Sequence, residues 1–305
     1  MAAPTATPSD TRRSAVLFVL IASAAFSVAG PLARLARPIH PVFVAFARVA
    51  LAAVILSALD LPGTARAFAG LTLRQRLTVF GAGALLAVHF ALFLWGLDQT
   101  SLPAAVALVS LEPLGVVLFA WLFFNIRPSR REQLGLFFAT AGALLMSRGA
   151  GSGEHKLLGD LLILGAVALY GLYVTVARAL RDALPATPYA ALVYASAALV
   201  LALALPFIPG VFAGLSPVPL RSALAVLGLV LLPTVIGHTA VQTAARTLTP
   251  ALVALVCPCE TVGGILLGAA LLGAIPTPVE IGGTLIILAG ATIAILGSGD
   301  RREAG

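Results

Sequence analysis

Along the chain, apolar residues run in long stretches that short clusters of Pro, Gly and Arg interrupt at intervals of about 20 residues. A helix crossing the hydrocarbon core of a bilayer needs about 20 mainly apolar residues, so this punctuation predicts transmembrane helices. Ten spans fit: 14–36, 41–60, 76–97, 102–124, 131–147, 157–179, 187–208, 220–244, 250–272 and 278–297. The gaps between them are short and leave no room for a separate soluble domain. Residues 1–13, MAAPTATPSDTRR, are polar and read as a disordered tail, with a second tail at 299–305. The first apolar run has the length of a full span and lacks an A-x-A cleavage pattern, so it reads as a helix rather than a removed signal peptide.

Composition makes lipid the solvent. The chain is 60% hydrophobic and 10% charged, with a mean hydropathy of +1.06. A globule keeps a substantial part of its surface in water, and so apolar a chain cannot cover that surface with polar groups. The net charge of +7 is almost wholly Arg, Lys156 being the single lysine. It lies in short gaps between apolar runs and forms no continuous basic face, which argues against nucleic acid.

That charge instead orients the chain, because positive residues are retained on the cytoplasmic side during insertion. With the N-terminus inside, thirteen cations fall in cytoplasmic segments: Arg12, Arg13, Arg66, Arg74, Arg76, Arg127, Arg130, Arg131, Arg178, Arg181, Arg246, Arg301 and Arg302. Five fall opposite, at Arg34, Arg37, Arg148, Lys156 and Arg221, and Arg48 sits within the second span. Both termini are therefore expected in the cytoplasm, with the chain in the inner membrane.

The sequence also matches itself. At an offset of 148, Glu112 meets Glu260, Gly115 meets Gly263, Pro128 meets Pro276, Glu132 meets Glu280, Gly135 meets Gly283 and Gly142 meets Gly290. Neighbouring offsets pair Pro41 with Pro188, His89 with His238 and Arg34 with Arg178. The repeats are expected at 14–149 and 150–298. Each holds an odd number of spans, so the second starts on the opposite side of the membrane and the repeats are inverted. Two inverted copies can exchange conformations and open a site between them to each side in turn.

The stretches 107–146, ALVSLEPLGVVLFAWLFFNIRPSRREQLGLFFATAGALLM, and 254–296, ALVCPCETVGGILLGAALLGAIPTPVEIGGTLIILAGATIAIL, resemble the drug/metabolite transporter superfamily and its EamA-type ten-helix members. The chain looks most similar to the amino-acid-exporter branch, including the aromatic-amino-acid exporters. It departs from the family's usual G-E pair at the ends of the fourth and ninth spans, with Phe124-Asn125 and Gly273-Ala274 there, and Thr261 rather than Pro follows Glu260. The resemblance implies an all-α membrane protein whose helices surround a central cavity, exporting amino acids or related metabolites. A lipid or sugar-lipid translocator on the same framework is the alternative.

Several polar residues fall inside the spans. Glu112 and Glu260 each lie ten residues into their spans, near mid-membrane. A lipid-facing carboxylate there is expensive, so each faces the protein interior, is protonated or is paired. They could bind an ammonium group or a coupling proton, or they could bond to backbone freed beside Pro113 and Pro258. Those prolines leave the carbonyls of Val109 and Ala254 without helical partners, which marks either a cavity wall and gating break or a passive kink.

His89 and His238 occupy equivalent places, with Gln242 one turn beyond His238. They could contact substrate, relay a proton, or join helices by hydrogen bonds. Tyr170 and Tyr173 sit mid-span, too deep for the interfacial belt, and could stack on substrate. Trp95 offers an aromatic face for substrate but stands near a span end, where an interfacial anchor is the bland reading. Arg48 could be a counter-ion to a Glu, though snorkelling is its default. Gly135 with Gly142, and Gly283 with Gly290, allow close backbone approach at a helix contact or a dimer interface. The protein is accordingly expected as a monomer or weak homodimer.

Cys257 and Cys259 form a C-P-C too short and too buried for zinc, so no metal or cofactor is expected. The absence of G-x-x-x-x-G-K-[ST], H-E-x-x-H and G-x-S-x-G motifs argues against ATP-driven or enzymatic chemistry.

Overall fold

A computed structural model describes residues 8–125, 127–149, 154–177, 184–244 and 256–303. Among these residues the chain is helical throughout, with no strand. Seven helices are long and apolar enough to cross a membrane: Val16–Leu35, Pro41–Leu59, Leu73–Gln99, Leu102–Phe119, Ala186–Phe207, Leu220–Val241 and Pro278–Leu296. Two further apolar helices, Leu157–Tyr173 and Cys259–Leu272, are shorter.

In chain order the elements are α1 (Pro8–Ser27), α2 (Ala29–Leu35), α3 (Pro41–Leu59), α4 (Leu61–Gly70), α5 (Leu73–Gln99), α6 (Leu102–Val109), α7 (Glu112–Phe124) and α8 (Arg130–Ser147). The second half holds α9 (Leu157–Ala177), α10 (Ala186–Ala204), α11 (Leu220–Leu229), a π-helical stretch (Val230–Gly237), α12 (His238–Ala244), α13 (Val256–Leu272) and α14 (Pro278–Glu303). α1 begins at Pro8, within the segment expected to be a tail, and α4 fills an expected loop. Arg178, Arg181, Arg246 and Ala254 lie outside the described residues.

Three predicted spans are broken rather than straight. The first divides at Val28, and the fourth divides at Ser110-Leu111, directly before Pro113. Ser110 and Leu111 turn back with N–H bonds to the carbonyls of Ala107 (3.2 Å) and Leu108 (3.1 Å), tightening the last turn of α6 because Pro113 has no N–H to continue the ladder. The eighth widens into the π stretch around Pro233.

The paired acids Glu132 and Glu280 do the same local job at equivalent helix starts. Ser129 N donates to Glu132 Oε2 (2.6 Å) while Glu132 N donates to Ser129 Oγ (3.3 Å). Thr277 N likewise donates to Glu280 Oε2 (2.8 Å) and Glu280 N to Thr277 Oγ1 (3.3 Å). These reciprocal bonds are capping boxes that satisfy orphan N–H groups at the starts of α8 and α14.

The paired glycines lie at a helix contact within the chain. A Cβ on Gly135 would stand 2.6 Å from the Gly290 carbonyl oxygen, and one on Gly290 2.7 Å from the Gly135 carbonyl oxygen. Gly142 and Gly283 meet in the same reciprocal way, at 2.9 and 3.1 Å. These pairings run in opposite senses along the chain, so α8 and α14 cross antiparallel with their backbones in contact. α6 and α13 also meet directly, where Thr261 Oγ1 donates to the Val106 carbonyl (3.0 Å). The repeat-equivalent helices thus pack on one another across the molecule.

Candidate functional site

Pro233 sits inside a helix and cannot donate to the carbonyl of Leu229, four residues back. The π stretch bonds each carbonyl to the N–H five residues on and so passes over the missing donor, and the Thr234 hydroxyl also donates to Leu229 O, at 2.7 Å. Its oxygen then accepts Arg48 Nε at 2.5 Å, which brings α3 to the π stretch. The hydroxyl held in this way is the attachment point for a buried arginine.

Arg48 is only 2% exposed, so it does not snorkel. Its guanidinium lies 4.2 Å above the Phe90 ring centroid, an arrangement worth about 2 kcal/mol or more when water is excluded. Glu112, Glu260, Tyr194, His89 and His238 lie within electrostatic reach of it. Glu112 opens α7 immediately after the break at Ser110-Leu111, and Glu260 lies on α13, where its carbonyl approaches Ser27 Oγ at the end of α1 (3.5 Å).

Around these charges the aromatic residues form a continuous series. Tyr173 and Tyr170 are 6.1 Å apart between centroids, and Tyr170 lies 5.4 Å from His89. His89 stacks on Phe93 at 6.3 Å, and its Nδ1 lies 2.9 Å from the Ala166 carbonyl. Phe90 lies 5.0 Å from His89 and meets His238 edge-on at 6.4 Å. The His238 ring is also edge-on to Phe26 (5.1 Å) and Tyr194 (6.1 Å). Edge-on and offset contacts of this kind fix ring orientation as well as burying area.

The structure therefore brings together Glu112, Glu260, His89, His238, Tyr170 and Tyr173, from both halves of the chain. It does not bring Trp95 to them: that ring is 40% exposed and lies beside His40, 6.4 Å away, at the end of α5. Pro113 stands at the break it was expected to cause. Gln242 is on α12 and Pro258 on α13, but their side chains lie outside the described residues. Sequence reasoning passed over Thr234 and Pro233 and gave Arg48 a lesser role. The signal available was a Pro-Thr pair in the span facing an isolated intramembrane cation.

A buried arginine, two carboxylates and an aromatic lining between two matching halves describe a multi-pass helical membrane protein with an ionisable centre at its repeat junction. The chain belongs to the EamA-like transporter family, which matches it twice, over residues 13–148 and 157–296. A solved structure described only as "Crystal structure of protein" is similar in fold, with a TM-score of 0.65 at 20% identity, covering 93% of this chain and 97% of its own. The family makes this protein a membrane transporter of small molecules.

Proposed function

We propose that this protein is a secondary transporter that exports amino acids or related small metabolites across the inner membrane by alternating access, through ten spans arranged as two inverted repeats. One observation carries the reading. Arg48 and Glu112 from the first repeat share one electrostatic neighbourhood with Glu260 from the second. Opposite charges at a junction of this kind suit a solute that carries both signs, and the aromatic series beside them suits an apolar side chain.

The reciprocal glycine contacts support inversion. Gly135 faces Gly290, which is the counterpart of Gly142, and Gly142 faces Gly283, the counterpart of Gly135. Equivalent helices that meet antiparallel in this way are related by a local two-fold axis across their length, which for membrane helices lies in the membrane plane.

A lipid translocator would favour a substrate path open sideways to the bilayer. A groove of about 640 Å³ does lie between α5 and α9, with Leu77, Leu85, Val88 and Leu169 on its walls and Arg74 at one end. It shares no residue with the Arg48 cluster, so it gives no support to a path through that cluster. Flux of radiolabelled amino acids into liposomes containing only this protein tests the proposal. Flux equal to that of empty liposomes for every amino acid, aromatic ones included, would overturn it.

A further inference from the structure

At one end of the helices, on the face expected to be extracytoplasmic, Thr100 and Ser101 stand side by side between α5 and α6. The Thr100 hydroxyl donates to Asp160 Oδ1 at 2.6 Å, and the Ser101 hydroxyl donates to Glu280 Oε1. Between the two carboxylates lies His155, with Nε2 2.8 Å from Asp160 Oδ2 and Nδ1 3.5 Å from Glu280 Oε1. The three are 2–3% exposed. Thr100, Asp160, His155, Glu280 and Ser101 thus close a ring of contacts. The first repeat supplies its hydroxyls, the second its carboxylates, and the connector between the two family matches supplies its imidazole.

Each ring nitrogen of His155 faces a carboxylate oxygen. A neutral imidazole has one N–H and one lone pair, so one of the two contacts would set a lone pair against an acceptor. Nε2 is hydrogen-bonded to Asp160, and a proton added at Nδ1 would put a positive ring within ion-pair distance of both carboxylates. Glu280 Oε2 is already occupied by the Thr277 N–H (2.8 Å) and hydroxyl (3.0 Å), which leaves Oε1 to Ser101 and His155.

We propose that His155, held between Asp160 and Glu280, is a proton-binding site that latches the two repeats together on this face: the latch is closed with the proton bound and loosened when it leaves. Histidine is the side chain that ordinarily changes charge between about pH 5 and 8, so external acidity would set the latch.

The remaining charges around it form a separate layer. Arg34 bonds Glu154 and the Thr100 carbonyl, Arg37 bonds Asp98 (2.7 Å) and Glu154 (3.3 Å), and Lys156 bonds Gln99 (3.0 Å). Burial disfavours the Glu154 carboxylate, but Arg34 and Arg37 outweigh it and hold its carboxyl below the usual range. Glu154 therefore stays charged between pH 5 and 8. That the latch opens during transport rests on the transport reading above; that a proton closes it does not.

The sign follows from linkage. A folded state that binds a proton the unfolded chain has released loses stability as pH rises. Protein carrying ¹⁵N-histidine in lipid nanodiscs, followed from pH 5 to 8, reports each of the four imidazoles. One should show both nitrogens protonated at the acid end, and that signal should vanish in His155→Gln. The thermal transition of the wild type should also lie several degrees higher at pH 5 than at pH 8, with the difference reduced in His155→Gln. If His155→Gln does not fold, Glu280→Gln should likewise shrink the difference. A His155 signal that stays neutral at pH 5, or a pH profile unchanged in the variant that folds, would overturn the site. Neither measurement uses flux, so a failure to transport would strike the proposed function and leave this site standing.

Discussion

At the scale of single residues, the charges at the repeat junction divide into groups with different expected consequences. Glu112→Gln and Glu260→Gln keep shape and hydrogen-bonding capacity while removing charge. If both carboxylates meet substrate or a coupling proton, folding survives while flux in liposomes falls at least about tenfold, the kinetic equivalent of roughly 1.4 kcal/mol. Wild-type flux through both variants would return the two acids to a purely structural role. Thr234→Val removes the donor to Leu229 O and the acceptor for Arg48 Nε in one step. Leaving buried polar groups unpaired costs about 1–3 kcal/mol, so the thermal transition in detergent should fall clearly. An unchanged transition would show that the arginine finds another partner.

Helix pairing sets the next scale, and the glycine contacts make it testable within one helix. On α14, a Cβ at Gly290 would stand 2.7 Å from both the Gly135 carbonyl oxygen and the Ala139 nitrogen, so Gly290→Ala must push α8 away. Overpacking a close contact costs about 1–3 kcal/mol. At Gly282 the nearest atom is Leu145 Cδ2, 3.6 Å away, an ordinary contact. Gly282→Ala should therefore leave the detergent unfolding temperature nearly unchanged, and a gain is expected if replacing glycine favours the helix. Equal losses at the two positions would mean that α8 and α14 do not meet through their backbones. The breaks in predicted spans belong to this scale too. Pro113 announced its break because a proline without N–H ends a ladder, whereas Pro233 did not, because a π stretch and one threonine hydroxyl absorb it with the helix still continuous.

For the whole molecule, orientation rests on thirteen cations against five in the loops and tails. Reporter fusions at the N- and C-termini should both give a cytoplasmic signal. A periplasmic signal from the C-terminus alone would mean an odd number of crossings and would break the ten-span proposal. The helical membrane class was legible because lipid leaves a chain few choices: backbone groups must pair within each segment, and about 20 apolar residues are needed to cross. The two-repeat plan was legible because Glu, Pro and Gly recur at one offset against an apolar background in which such matches are scarce. The candidate site was legible residue by residue wherever a polar group is costly in lipid, as at Glu112, Glu260, His89 and His238. Depth in a span is a property of the linear chain, and so it could be read from the chain alone. Which of these residues meet was decided only by tertiary structure, because the direction of a side chain around its helix depends on where that helix bends and what it packs against. That is why Trp95 turned outward, why Arg48 turned in toward Thr234, and why His155, in a short connector with no membrane pattern of its own, came to lie between Asp160 and Glu280.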